Sequence, residues 1–276
     1  MDSNSISRIH APTPDLQIVS AKALRTHEEH DSQRALPLIE RLKSESYIIN
    51  PPIVVPIDNG EYMILDGANR CYAFMALGYS HMLVQVTSYE SGYVELATWN
   101  HVVGSWNAQA LIDSVGALPG IDLTRGQDAH AIAHILLPDH EVYALLSPVD
   151  TVHERNAALR QVVQIYQQQA KLYRTTISEP DEIWPLYEDG IALVVFPRYQ
   201  PIDIIAAAKY DAYLPPGISR HIVHGRALRV NYPIIHLRDD NLTLTEKNNR
   251  LRRWLQDKLV NRQIRYYAEA TYQFDE

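Results

Sequence analysis

Hydrophobic and polar positions along this chain change period repeatedly, and the changes outline its elements. Residues 16–20 (LQIVS) read as a short strand. In residues 26–46, Leu36, Ile39 and Leu42 share one helical face. Asp31 is a fair N-cap, and Pro37 interrupts the pattern. Pro51 and Pro52 open the β-branched run IVVPI. Asp58-Asn59-Gly60 then reads as a hairpin turn, and YMIL as the returning strand. ANRCYAFMAL is predicted helical and is ended by Gly78. MLVQVTSY alternates as a third strand. Residues 16–90 therefore make an α+β unit.

Beyond it, residues 90–104 (ESGYVELATWNHVVG) are expected to be helical, with strands at 141–146 and 191–196. Residues 154–173 form a long amphipathic helix through Leu159, Val162, Val163, Ile165 and Tyr166. Residues 201–210 are a shorter helix. Residues 214–234 hold a turn and then a strand. Residues 245–267 are a closing helix with Thr245 as its cap. No repeat or low-complexity block divides the chain. Two lobes, 1–105 and 106–276, are expected.

Composition narrows the function. The 276 residues are 46% hydrophobic and 21% charged, enough for a substantial core. The net charge of −8 disfavours a protein that coats nucleic acid, because phosphate binding needs a basic surface. The single cysteine, Cys71, allows no intrachain disulfide and fits a reducing cytoplasm. No secretory apolar segment and no run near the roughly 20 residues of a membrane span is visible.

The stretch Asp66-Gly67-Ala68-Asn69-Arg70 sits at a strand-to-helix corner, where unsatisfied backbone N–H groups form an anion cradle. Gly67 lets backbone approach a ligand, Arg70 offers a bidentate fork, and Asp66 offers a hard oxygen for magnesium. A plainer reading fits the same spacing: Asp66 caps the helix and Arg70 pairs on the surface. A second cluster, His27-Glu28-Glu29-His30-Asp31, has ligands for a metal or a carboxylate for general-base work. It also fits a solvated loop ahead of a helix.

In its order of elements, THEEHDSQRALPLIERLKSESYIINPPIVVPIDNGEYMILDGANRCYAFMALGYSHMLVQVTSY resembles the ParB/sulfiredoxin-like fold. Within it, the chain is most similar to the free L-serine kinases, including the siderophore-pathway members. ATWNHVV resembles their Trp-x-His element, and LPPGISRHIVHGRALRVNYPI their distal Pro-x-Gly-Ser/Thr-Arg-His segment. The ordered set is more specific than any one motif, and the likeness covers most of residues 16–276. It implies a ParB/sulfiredoxin-like N-terminal lobe, a second mixed α/β lobe and an active-site cleft between them. It implies phosphoryl transfer from ATP or ADP to free L-serine with Mg2+. Glu28 would be the general base, with Glu29 the alternative, and His27 would orient it or the phosphates. Asp66 would lie near the transferred group and its magnesium, and Gly67, Ala68, Asn69 and Arg70 would cradle phosphate oxygens. Trp99 and His101 would wall the serine pocket, and Ser219, Arg220 and His221 would contact the amino acid's carboxylate or the phosphoryl group. Relatives often carry histidine or threonine where this chain has Ala68 and Asn69, which leaves the donor nucleotide open.

Other signals weigh less. His130 and His134 are spaced i,i+4 in HAIAH, as zinc ligands on a helix would be, but no third ligand is evident. Sulfiredoxins place their cysteine before the loop arginine. Cys71 follows Arg70 and is expected to face the core. The basic stretch 247–265 is interspersed with acids and reads as a solvated face. The alternative function is a ParB-like, nucleotide-sensing regulator that contacts DNA. It would need a helix-turn-helix after residue 100, and none is visible.

Overall fold

The computed structural model describes residues 11–29, 32–149 and 151–267. The expected cap Asp31, with His30, lies outside them. In chain order the elements begin with β1 (Asp15–Ser20), β2 (Leu24–Arg25), α1 (Ser32–Ser44), β3 (Tyr47–Ile48), β4 (Ile53–Pro56), β5 (Tyr62–Asp66), α2 (Ala68–Ala76) and β6 (His81–Val86). They continue with β7 (Val94–Thr98), β8 (Asn100–Gly104), α3 (Ala108–Gly116), β9 (Asp122–Arg125), β10 (Ala133–Leu136), β11 (Val142–Leu146), α4 (Val152–Gln169) and β12 (Lys171–Thr175). The last are α5 (Pro180–Ile183), β13 (Gly190–Val195), α6 (Pro201–Lys209), β14 (Ser219–Val223), β15 (Tyr232–Pro233), α7 (Ile235–Arg238) and α8 (Leu244–Val260). None of the described helices is long and apolar enough to cross a membrane.

Two compact units result, and they are not the linear lobes expected from sequence. The first contains residues 1–26, 30–95 and 221–276, the second residues 27–29 and 96–220. The expected boundary near 105 fails because the C-terminal segment returns to the first unit. There Asn248, on α8, treats β1 as a neighbouring strand would. Its Oδ1 accepts from Ile18 N at 2.9 Å and its Nδ2 donates to Ile18 O at 2.7 Å.

The first unit is built on a mixed sheet in the order β1-β6-β4-β5-β2. β4 and β5 form the expected hairpin, Val55 opposite Met63, across a turn in which Asn59 and Gly60 both have positive φ. Ile18, Val54, Ile64, Phe74, Leu83 and Leu251 fill its core. Lys247 is fully buried in this unit. It donates to the Leu237 carbonyl at 2.7 Å and lies 3.2 Å from His81 Nδ1, which satisfies a charge that would otherwise be costly to bury.

The second unit carries an antiparallel sheet, β12-β8-β13-β10-β11-β9. Helix α4 buries Leu159, Val162, Val163 and Tyr166, the face its periodicity predicts apart from Ile165. Residues 27–29 join this unit by a strand-like bridge. Leu214 N donates to His27 O at 2.8 Å, and Glu29 N to Leu214 O at 3.0 Å. β7 and β14 form a separate two-stranded ribbon.

Three sequence expectations are corrected. Residues 90–104 are largely strand, not helix, because Val94, Val102 and Val103 are buried sheet positions that a helical face does not match. His130 and His134 do not share a helix: His130 is in a turn and His134 is on β10, where its Nε2 accepts from Asp128 N at 3.2 Å. No group of three or more metal-ligating side chains occurs among the described residues. The cap of α8 is Thr243, not Thr245. Thr243 Oγ1 accepts from Glu246 N while Glu246 reaches back to Thr243 N, a reciprocal capping box.

His101 lies in the core of the second unit, fully buried. Its Nδ1 accepts from the Tyr166 hydroxyl at 2.8 Å, and Nε2–H donates to Gly217 O at 3.4 Å. Burial pushes its pKa down to about 4, the Gly217 carbonyl opposes the shift, and Arg174 adds to it.

Two outcomes are expected. Thr243→Ala lowers unfolding stability by about 1 kcal/mol in a denaturant titration, whereas Thr245→Ala changes it by less than about 0.5 kcal/mol. The unfolded chain protonates His101 below about pH 6.5 and the folded chain only below about pH 4. Stability from this site is therefore present above 6.5 and falls across that window as pH drops, by at most about 3 kcal/mol. Urea midpoints measured at pH 7 and pH 4.5 check it: His101→Gln narrows the difference between them.

Candidate active site

In the first unit, the chain turns from β5 into α2 through Gly67. This glycine sits at φ +90°, and a Cβ there would come within 3.1 Å of the Pro52 side chain. No side chain caps the helix at Gly67, and an uncapped first turn offers N–H groups of the kind that can bind an anion. Asp66 does not cap the helix. Its Oδ2 accepts from Arg70, at 3.3 Å, and from Arg226. Arg70 is itself anchored on the Asn50 carbonyl. Sequence reading missed Arg226. It lies 160 positions from Asp66, and only its place in the distal PGISRH-bearing segment offered a signal. Asn69 Oδ1 is buried and meets no hydrogen-bond partner among the described residues.

Cys71 follows on the inner face of α2, fully buried, and burial pushes its thiol up to about 12. A thiol so far from its thiolate is a packing group, as expected from its place after Arg70.

His221 also belongs to the first unit, so the Ser219-Arg220-His221 trio is divided. The His221 Nε2 lies 2.7 Å from the Tyr89 hydroxyl, whose pKa burial raises.

In the second unit, the turn at residues 215–219 wraps the Glu28 carboxylate. Gly217 N donates to Oε2 at 2.7 Å, Ser219 N to Oε1 at 2.7 Å, and the Ser219 hydroxyl to Oε1 at 2.6 Å. His27 Nε2 lies 2.6 Å from the same hydroxyl. Ser219 has one proton to give. With that proton on Glu28, His27 donates from Nε2, and the three side chains form a chain His27-Ser219-Glu28. Gly217 is needed: it has φ +81°, and a Cβ would collide with the Arg174 guanidinium.

The two candidate acids now separate. Glu29 pairs with Arg160 Nε at 3.0 Å and is half exposed, while Glu28 alone reaches the turn. Arg220 stacks on the Trp99 ring, 4.6 Å from its centroid, and Trp99 N donates to the Ile218 carbonyl at 2.8 Å. Trp99 is thus tied to the turn by its backbone and by Arg220. His101 does not form a wall there, because its buried ring backs the turn from beneath through Gly217 O.

No family model matches the chain. The ATP-dependent L-serine kinase SbnI of Staphylococcus aureus is 26% identical over 265 residues, which is 93% of this chain and 96% of that protein. The solved structure of SbnI with a C-terminal truncation superposes with a TM-score of 0.73 at 22% identity, covering 88% of this chain and 97% of the other. A free serine kinase solved in complex with AMP gives a TM-score of 0.71 at 12% identity, covering 85% of this chain and 98% of the other. The chain has the fold of the free serine kinases and is related, over nearly its whole length, to an ATP-dependent L-serine kinase.

Proposed function

We propose that this protein is a kinase of free L-serine, transferring a phosphoryl group from ATP to the amino acid's hydroxyl and releasing O-phospho-L-serine. The observation that carries the reading is the Glu28 carboxylate. The chain holds it in place with three donors at 2.6–2.7 Å, from Gly217 N, Ser219 N and the Ser219 hydroxyl. A serine hydroxyl brought against this carboxylate gives its proton to Glu28 as its oxygen bonds to phosphorus and the bond from phosphorus to the departing ADP breaks. His27 and Ser219 keep the carboxylate from turning. Trp99 supplies a rigid wall that excludes water, and Arg220, steadied on that ring, matches the carboxylate of an amino acid.

The glycine corner suits the donor. Phosphoryl transfer asks for positioning and charge neutralisation, which the first turn of α2, Arg70 and Arg226 provide. ATP is favoured over ADP because the full-length relative is an ATP-dependent enzyme. Magnesium fits this corner: Asp66, with 39% of its side chain exposed, and the unpartnered Asn69 Oδ1 are hard oxygen ligands. The ion would add positive charge beside the phosphates. His221, on Tyr89, is assigned to the phosphoryl group. A cytoplasmic setting fits both the nucleotide and the single reduced cysteine.

The test is direct. Pure protein incubated with L-serine, Mg2+ and ATP should yield O-phosphoserine by mass spectrometry, and absence of product with ATP and with ADP overturns the proposal. Glu28→Gln should lower kcat at least 100-fold while nucleotide affinity stays within about twofold. Glu29→Gln should leave kcat within a few-fold, and the reverse pattern would move the base to Glu29.

A further inference from the structure

The loop from β13 to α6, residues 196–200, is pinned along most of its length. The Phe196 ring packs edge-on against His101, with centroids 5.0 Å apart, and Phe196 N donates to Asn100 Oδ1 at 3.3 Å. The Pro197 carbonyl accepts from the Thr98 hydroxyl at 3.3 Å. Gln200 N donates to Asp203 Oδ2 at 2.8 Å, within the capping box of α6, and Pro201 fixes the next φ. The loop is therefore held beside Thr98, Asn100 and His101, the strand residues that flank Trp99.

From this held loop Tyr199 sends its hydroxyl into a buried position where it makes no hydrogen bond among the described residues. A buried hydroxyl left unmade is expensive, and native proteins rarely keep one without a use. The charges that bear on it are Glu28, Asp203 and Arg155, all of the same unit. Burial first, then Glu28 and Asp203, raise its pKa, so the phenol keeps its proton and remains a donor.

We infer that Tyr199 is a specificity-determining residue for the amino-acid acceptor: its hydroxyl donates to an oxygen of the substrate bound beside Glu28. The inference rests on the serine-kinase reading and adds a residue to it that no motif marked. Among the described residues the hydroxyl has no partner, and in the complex it gains one. That difference favours an acceptor able to receive a hydrogen bond at this point over an apolar one of the same size.

Tyr199→Phe removes only this hydroxyl and separates the possibilities. By calorimetry, Kd for L-serine should rise about tenfold while Kd for ATP stays within about twofold. The melting temperature of the ligand-free variant should equal or exceed that of the wild type, because the variant no longer buries an unmade hydrogen bond. Unchanged L-serine affinity overturns the inference. So does equal weakening of both ligands, or a lowered melting temperature, either of which marks a structural hydroxyl. A wild-type protein that binds no L-serine fails in a different way, since it overturns the kinase reading on which this inference stands.

Discussion

A single half-buried carboxylate organises the second unit's polar contacts. Glu28 enters that unit as part of a three-residue insertion, residues 27–29. Removing a carboxylate from water is costly unless donors surround it, and the turn at 215–219 brings three of them. The requirement runs both ways. The turn adopts its shape because Gly217 tolerates a positive φ and admits Arg174, and Glu28 ties its N–H groups together. The same bonds that satisfy the carboxylate also fix its direction.

Asp66 plays a comparable part in the first unit with opposite logic. Two guanidinium groups converge on one carboxylate oxygen beside an uncapped helix N-terminus. The corner thus sets two positive groups against one negative in a protein whose overall charge is −8. Local arrangement, not net charge, decides which anion such a surface admits.

Buried polar side chains support both regions from within the core. His101 braces the turn through Gly217 and is itself fixed by Tyr166. Lys247 ties α8 to the Leu237 carbonyl and His81. Each has the partners its burial demands, and this makes the two groups parts of the scaffold, in contrast to the Tyr199 hydroxyl.

Local pattern alone told much of this protein. The β4–β5 hairpin, the DGANR corner, α2 and its Gly78 stop, α4, α6 and the strands β11 and β13 depend on near neighbours, so periodicity and turn chemistry revealed them. Asp66 and Arg70 stood out because they flank a glycine at a strand end and Glu28 because it lies in an acid–histidine cluster, whereas Trp99, Ser219 and Arg220 were marked by the resemblance to the free L-serine kinases. Tertiary structure decided the rest. It set Glu28 in the 215–219 turn and Glu29 on Arg160, moved His101 into the core, brought Arg226 to Asp66, and returned α8 to the first unit. Each of these rests on a contact across 65 to 230 residues or on burial, and short-range spacing encodes neither.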